Sequence, residues 1–398
     1  MKKILTTVIL IIILINTNIA NSYAIFSEND EKIKQDASTK IEEQKEMFGI
    51  SDFLKEADKY KGEFLEDTSL SNLLDEATKG KIDNKTILKK ILNIFTKEIK
   101  SSITTLIIVL VIVVIHSILK SISESLENSD ISKIIYYVEY ILIVTVIMKN
   151  FSEILELVKQ TSQNLVGFMN ALIPILITLM IYTGSSITGS VVQPILLFMI
   201  NFIGNMIQDI LIPFILIITA LSIVSKISDK VQIGRINKFF KKSVEWYLGI
   251  ILVIFVGVLS LEGTLSSSVD GITAKTTKAV VSNLIPVVGK LLGDTVDTVL
   301  GCGVILKNAV GLIGVIVIIG IAVVPIIKIG TLSVIYSLAS GIIEPVADEK
   351  IVKLLEEMSG IFKLLFGILC TLSVLLIIGV TLVVKISNSG MMYRWLNF

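Results

Sequence analysis

One stretch of this apolar chain, residues 262–308, carries small and polar side chains at helical spacing. From Lys278 onward apolar residues recur every three or four positions, and a second stripe recurs mostly in steps of four on the opposite face. Such a face can line a water-filled path or let a second helix approach closely. The residues of this central stripe are Lys278, Ser282, Gly289, Gly293, Asp297 and Gly301.

Pro286 interrupts this central segment, because proline lacks the amide donor that a continuing helix needs. We therefore expect two short helical pieces with a break near residues 283–286. The segment is too polar for a simple lipid-facing span and too apolar for an ordinary surface loop. Two interpretations stay open. One is a re-entrant or interfacial hairpin whose stripe faces a pore or another subunit, and the other is an amphipathic connector on the membrane surface.

Three ionisable residues lie within or between the apolar runs: His116, Glu139 and Asp209. Charges inside a bilayer are costly and often belong to proton or ion paths. The alternative is a buried polar contact between helices or, for His116 and Asp209, a position at the membrane interface. We favour this alternative for His116 and Asp209, and for Glu139 both interpretations stay equally open.

The sequence offers no convincing catalytic or metal-binding motif. The segment at 184–190 has phosphate-loop spacing, but it ends on Ser190 where such a loop has lysine. His116 is the only histidine, which leaves little room for histidine-based catalysis or a multi-histidine metal site. Asp294 and Asp297 could meet a cation, yet two carboxylates are a weak signal. We predict a protein that is not an enzyme, with no catalytic residue, cofactor or metal ion.

Composition predicts the class of protein that must position these residues. The chain has 398 residues, of which 53% are hydrophobic, and its mean hydropathy is +0.81. Because the apolar residues form long runs, we predict an all-α, polytopic helical membrane protein. The net charge of +1 does not suggest a nucleic-acid partner. Cys302 and Cys370 lie far apart, and we expect no disulfide framework.

Residues 1–24 have the three-part pattern of a secretory signal peptide, with two lysines, an apolar core and small residues at the end. We expect cleavage after Ala24, and the alternative is an uncleaved membrane anchor. In either case residues 25–100, a charged helical region, should lie outside the cytoplasm. This N-terminal arm could dock an extracytoplasmic partner, or it could be a solvated helical spacer.

The remaining apolar runs predict transmembrane helices over residues 101–261 and again over residues 309–398. Run 191–224 is too long for one span, so we predict two short spans that meet near Asp209. Whether 329–345 crosses fully stays open, which allows seven to nine hydrophobic segments. The runs are 102–119, 134–148, 165–183, 191–224, 246–261, 309–327, 329–345 and 364–384.

The loop at residues 226–246 is the most basic short loop between these runs. Positively charged loops stay on the cytoplasmic side, so we predict that this loop is cytoplasmic. Five crossings from an extracytoplasmic arm would place it there, whereas four would not. The charge rule therefore favours the division of run 191–224 into two spans.

The segment from Asp270 to Gly311, DGITAKTTKAVVSNLIPVVGKLLGDTVDTVLGCGVILKNAVG, resembles the stage III sporulation protein AE family of endospore-forming bacteria. The order of signal peptide, charged arm, spans and central segment matches as well. The resemblance implies a non-enzymatic component, in the mother-cell membrane around the forespore, of the secretion-like channel that joins the two cells.

The partners that the resemblance implies are the other stage III A sporulation proteins, including a cytoplasmic ATPase and ring-forming proteins. Stage II sporulation protein Q of the forespore would be an indirect partner. The family supplies no list of site residues. Two other functions stay open: a secondary transporter or ion pathway that acts alone, and a pure membrane scaffold for a ring complex.

Overall fold

The computed structural model describes residues 31–79, 84–125, 129–227, 234–284 and 289–395. Within these ranges every regular element is helical, which confirms the predicted all-α class. A 3-10 turn, Glu63–Leu65, follows the second helix, and a π-helical turn, Ile207–Leu211, joins the sixth helix to the seventh. The α-helices are α1 Glu31–Met47, α2 Ile50–Asp58, α3 Leu70–Thr78, α4 Asn84–Ser125, α5 Ser129–Tyr182, α6 Ser186–Met206, α7 Ile212–Ile227, α8 Gly234–Leu284, α9 Gly289–Ile343 and α10 Glu349–Trp395.

Six helices in the described ranges are long and apolar enough to cross a membrane, and α6 and α7 count as one of them. A bilayer needs about 20 apolar residues in a helix, and each of the six exceeds this length. The predicted polytopic membrane protein is therefore confirmed. The six apolar helices are Thr96–Leu119, Ile134–Tyr182, Ser186–Lys226, Gly234–Leu261, Val299–Ile343 and Glu349–Lys385.

Run 191–224 does not reverse near Asp209, so its predicted division into two spans is wrong. The π-helical turn carries Asp209 and keeps the helical path unbroken from α6 into α7. Both parts pack antiparallel to α5 over its length. Gly204 of α6 contacts Val166 of α5, and the Tyr136 hydroxyl of α5 donates a hydrogen bond to the Lys226 carbonyl at the end of α7.

Two further pairs of predicted spans are each one continuous helix. Runs 134–148 and 165–183 both lie on α5, because the polar stretch between them buries one apolar face and stays helical. Runs 309–327 and 329–345 both lie on α9, which continues through Pro325. The nine predicted segments therefore occupy six helices. Three of the six helices precede the basic loop at 226–246. Three crossings, like the five predicted, lead from one side of the membrane to the other, so a cytoplasmic loop remains compatible with an extracytoplasmic arm.

The long helices meet along one continuous core in which glycines of α9 permit close packing. A Cβ at Gly314 would lie 2.5 Å from Cδ2 of Leu172 on α5, and one at Gly311 would lie 2.5 Å from Cγ2 of Val384 on α10. Further along, Ser333 of α9 and Ser359 of α10 each donate a hydrogen bond to the other's carbonyl. Together with the hydrogen bond from Asn150 of α5 to Tyr336 of α9, these contacts place α9 antiparallel to both α5 and α10.

The central segment is divided close to the predicted position, since α8 ends at Leu284 and α9 begins at Gly289. Pro286 lies between these helices, outside the described residues. The two parts are not short pieces, however. Each is the end of a helix of more than 50 residues, because α8 starts at Gly234 and α9 continues to Ile343.

Candidate functional site: the docked arm and the polar groups of the bundle

Within the predicted arm at residues 25–100, α1 to α3 fold around apolar side chains of their own, while residues 84–100 belong to α4; from here on the arm means α1 to α3. Ser69 caps α3 by accepting a hydrogen bond from the amide of Asn72. The Lys45 ammonium lies 2.6 Å from the Asp75 carboxylate and so ties α1 to α3. Burial alone would lower the pKa of Lys45, but its hydrogen bonds to Asp75 and Glu42 hold the pKa above its usual value. The buried residues of the arm include Ile50, Phe53, Ala57, Phe64, Leu65, Leu70, Leu74 and Ala77.

The apolar face of the arm packs on α5 through aromatic rings. The rings of Phe53 and Phe168 lie 6.3 Å apart, and Phe48 meets Tyr182 edge-on at 4.8 Å. Tyr60 lies over Gly167, where an added Cβ would be 2.7 Å from the tyrosine ring. Large aromatic surfaces contribute strongly to such contacts. The arm therefore joins the bundle through its buried face.

The arm also contacts α9, where two backbones meet. A Cβ at Gly62 would lie 2.4 Å from the carbonyl oxygen of Gly320, and Leu65 covers the same glycine. The Gln44 side chain donates a hydrogen bond of 3.0 Å to the Val299 carbonyl and lies 3.3 Å from the Tyr182 hydroxyl. The inner face of the arm is thus taken up by the same chain, which leaves its charged outer face for any partner.

The central stripe is placed on two helices. Lys278 and Ser282 belong to α8, whereas Gly289, Gly293, Asp297 and Gly301 belong to α9. The side chains of residues 262–298 lie outside the described part of the structure. A Cβ at Gly301 would meet nothing within 4 Å, so this end of the stripe faces open space. That the stripe meets a pore or a partner stays a prediction.

The three ionisable residues singled out in the sequence have different surroundings. Glu139 of α5 is buried, with 3% of its surface exposed. Asp209 lies on the π-helical turn and is exposed, which agrees with a position at a surface rather than a buried contact. The side chain of His116 lies outside the described residues. Glu139 and Asp209 do not form one site, because Tyr140, next to Glu139, bonds to the Ile223 carbonyl, whereas Gln208, next to Asp209, bonds to Gln163.

A polar cluster that sequence reasoning did not identify joins α7, α8 and α10. The Glu357 carboxylate accepts hydrogen bonds from Ser222 at 2.9 Å, Asn237 at 2.8 Å and Lys241 at 3.1 Å. Lys226 lies 3.5 Å from the same carboxylate. The available signal was the acidic start of α10, which complements the lysines of the basic loop. This cluster fixes the end of the bundle that the basic loop joins.

Lys307 is a second group whose setting the sequence did not indicate. It belongs to the central segment at residues 262–308, yet its side chain is fully buried in α9. Asn150 of α5 donates a hydrogen bond of 2.9 Å to the hydroxyl of buried Tyr336, also on α9. Lys307 and Tyr336 both belong to the long apolar helix α9, so hydropathy alone does not show that they are buried within the protein.

Amide side chains link α5 to α6 on the outer surface. Asn170 and Asn201 exchange two hydrogen bonds of 3.1 and 3.0 Å, and Gln163 donates one of 3.1 Å to Gln208. Polar residues extend this line at helical spacing along both helices. The polar strip consists of Glu153, Glu156, Gln160, Gln163 and Asn170 of α5, with Asn201 and Asn205 of α6 and Gln208 of the π-helical turn.

Comparisons with known proteins agree with the resemblance found in the central segment. The family model described as stage III sporulation protein AE matches residues 68–387, about four fifths of the chain. The stage III sporulation protein AE of Bacillus subtilis (strain 168) is 31% identical over 268 residues, which cover 67% of each chain. No solved structure matches. The family match begins directly before α3 and leaves α1 and α2 of the arm outside it.

Proposed function

Since the chain belongs to the stage III sporulation protein AE family, we propose that it is a non-enzymatic membrane component of the channel complex that joins mother cell and forespore during endospore development. The family match over residues 68–387 is the observation that carries this proposal. The protein would lie in the mother-cell membrane around the forespore, with its arm outside the mother-cell cytoplasm.

The two ends of the bundle support different partners in this arrangement. The basic loop and the lysines around Glu357 form one end, and the positive-inside rule assigns that end to the cytoplasm. A cytoplasmic ATPase of the stage III A group can reach only this end. The charged outer face of the arm would meet the ring-forming stage III A proteins, and stage II sporulation protein Q would be reached through them.

Co-purification from sporulating cells tests the proposal. The full chain, tagged at its C-terminus, replaces the related gene in an endospore-forming host, and partners are identified by mass spectrometry after mild solubilisation. We expect the stage III A ATPase and ring-forming proteins to co-purify, and we expect deletion of the gene to abolish spore formation. A complex that assembles fully without this chain, or spores at normal yield without it, would contradict the proposal.

An ion pathway is a second candidate, because Glu139 is a buried carboxyl group inside an apolar helix. Such a protein would move ions or protons without its partners. Vesicles that contain only this chain should then show a flux that Glu139→Gln abolishes. A pure scaffold should show no flux in these vesicles and should retain partner binding with Glu139→Gln.

A further inference from the structure

The outer surface of α5 changes character along its length. Between residues 134 and 148 its exposed residues are mainly large and apolar, such as Ile134, Ile141 and Leu142. Between residues 152 and 170 every exposed residue is polar. These polar residues are Ser152, Glu153, Glu156, Lys159, Gln160, Gln163, Asn164 and Asn170. They form the α5 part of the polar strip and its immediate flanks.

Contacts between helices define the level of the bundle at which the strip lies. Asn150 of α5 bonds to Tyr336 of α9, and the arm residues Tyr60 and Gly62 lie against Gly167 of α5 and Gly320 of α9. The two helices therefore run side by side between these contacts, over about 25 Å. We call this part of the bundle the middle slice. It contains most of the α5 part of the strip.

On the α4 side, the middle slice has a surface suited to lipid. Lys97 pairs with Glu63 of the arm at 2.8 Å, which places Lys97 at the edge of the slice where the arm docks. The next exposed large residues of α4 are Ile103, Ile107, Ile108 and Val111. An exposed apolar face on a helix of this hydropathy is typical of contact with hydrocarbon.

The other border of the strip is apolar as well. Phe198 and Phe202 of α6 are exposed and stack at 5.9 Å, and Phe202 directly follows Asn201 of the strip. Val253 and Ile254 of α8 are exposed as well. The next residue, Phe255, and Leu196 of α6 both lie close to Gly379, so α8 and α6 are neighbours here. At the end where Asn170 and Asn201 lie, the strip is therefore bordered by surfaces that suit lipid.

The charged groups of the bundle mark slice boundaries that fit a bilayer. The ion pair Lys97–Glu63 lies at one edge, and the Glu357 cluster lies beyond the other. Between Gly320 and Tyr336, the contacts that bound the middle slice, α9 rises about 24 Å, which is most of the thickness of the hydrocarbon core. Its one charged residue in this part, Lys328, is half-buried.

We infer that the polar strip faces water at the depth of the bilayer and lines a hydrophilic passage for small polar solutes or ions. Lipid cannot cover Glu153, Glu156 and Lys159 without a large desolvation cost. The amide pairs of the strip satisfy only part of their hydrogen-bonding groups, because each amide has two donors and an acceptor oxygen. Because Gln163 and Asn170 are exposed, water can satisfy their remaining groups.

This inference deepens the proposed function, because it assigns a hydrophilic surface to the proposed channel component. The polar strip is a different surface from the central stripe, because the stripe lies on α8 and α9. The inference also explains why α5 combines a lipid-type surface and a polar surface on one uninterrupted helix. The path would follow the surface where α5 and α6 pack together, with the exposed Asp209 at the α7 end of the strip.

Thiol labelling in native membranes tests the inference with matched positions. Glu156→Cys and Gln160→Cys lie on the strip, whereas Ile107→Cys and Val111→Cys lie in the same slice on the α4 side. All four are made in a full-length chain whose Cys302 and Cys370 are replaced by serine. Open membrane fragments from sporulating cells are treated with a charged maleimide, which reacts only with thiols in contact with water.

We expect the two strip cysteines to react at least ten times faster than the two α4 cysteines. Equal and fast reaction at all four positions would overturn the inference, because the slice would then lie outside the hydrocarbon. Equal and slow reaction would overturn it as well, because the strip would then be dry. Lys55→Cys on the exposed surface of the arm serves as the fully reactive standard. Spore yield after gene deletion tests the proposed function separately, since labelling does not depend on it.

Discussion

Gly62 of the N-terminal arm and Gly320 of α9 meet backbone to backbone, although 258 positions separate them in the sequence. A Cβ at Gly62 would lie 2.4 Å from the Gly320 carbonyl oxygen and 3.0 Å from the Cα of Ile321. These are backbone atoms of a long packed helix, which cannot move aside as a flexible side chain would. The contact fixes the level at which the arm joins the bundle.

Gly62→Ala should weaken the docking of the arm. Its backbone has an ordinary extended conformation, so the effect comes from the clash and not from strain. Overpacking of this kind costs on the order of 1–3 kcal/mol. We expect a lower unfolding temperature in detergent and faster protease cleavage between α2 and α3. Gly257→Ala, where a Cβ would meet nothing within 4 Å, is the control and should leave both unchanged or improved. Identical behaviour of the two variants would contradict the docking contact.

Glu357→Gln should destabilise the bundle, because Lys226 and Lys241 would lose their shared counter-charge. The Glu357 side chain is only 25% exposed, so we expect a loss of about 1–3 kcal/mol in the free energy of unfolding. Glu349→Gln removes an ion pair with Lys353 whose glutamate is 80% exposed, and should cost much less, because solvent screens exposed ion pairs. Thermal unfolding in detergent compares the two. Adding Lys241→Gln to Glu357→Gln should recover part of the loss, and no recovery would argue against a charge effect.

The orientation of the protein can be read from two exposed lysines. Lys238 lies within the basic loop at 226–246, in the part that forms the start of α8, and Lys55 lies on the arm. We expect Lys238→Cys to be shielded from a membrane-impermeant thiol reagent in intact cells and Lys55→Cys to react. Permeabilised cells should label both. Labelling of Lys238→Cys from outside would reverse the orientation and remove the proposed site for a cytoplasmic ATPase.

The central stripe predicts a contrast between two neighbouring residues of α9. Gly293→Leu would fill the space that Gly289 and Gly293 leave for another backbone or for water, at a cost of about 1–3 kcal/mol if that face is packed. Leu292→Ile, on the opposite face, should cost little. We expect Gly293→Leu to abolish partner co-purification or spore formation at normal protein abundance, and Leu292→Ile to be tolerated. Normal spore yield with Gly293→Leu would remove the stripe as a working surface.

Several features of the fold follow from local sequence. Long apolar runs require helices in a bilayer, because a lipid-exposed backbone must satisfy its hydrogen bonds internally. Pro286 predicts the division of the central segment, and the structure places the end of α8 and the start of α9 close to it. The resemblance of residues 270–311 predicted the family that the comparisons show. Each of these features depends on residues that are near one another in the chain.

Other features depend on contacts between distant residues, and only the tertiary structure decided them. The polar stretch between runs 134–148 and 165–183 is as compatible with a loop as with a helix surface, and packing on α9 makes it helical. Phe168 and Leu172 are as hydrophobic as Leu142, yet the arm and α9 bury the first two while Leu142 is exposed. Hydropathy measures transfer from water and does not distinguish lipid from protein as the destination. The sequence therefore determined which residues leave water, and the packing of distant helices decided which of them face lipid, which form the core and where a polar surface remains.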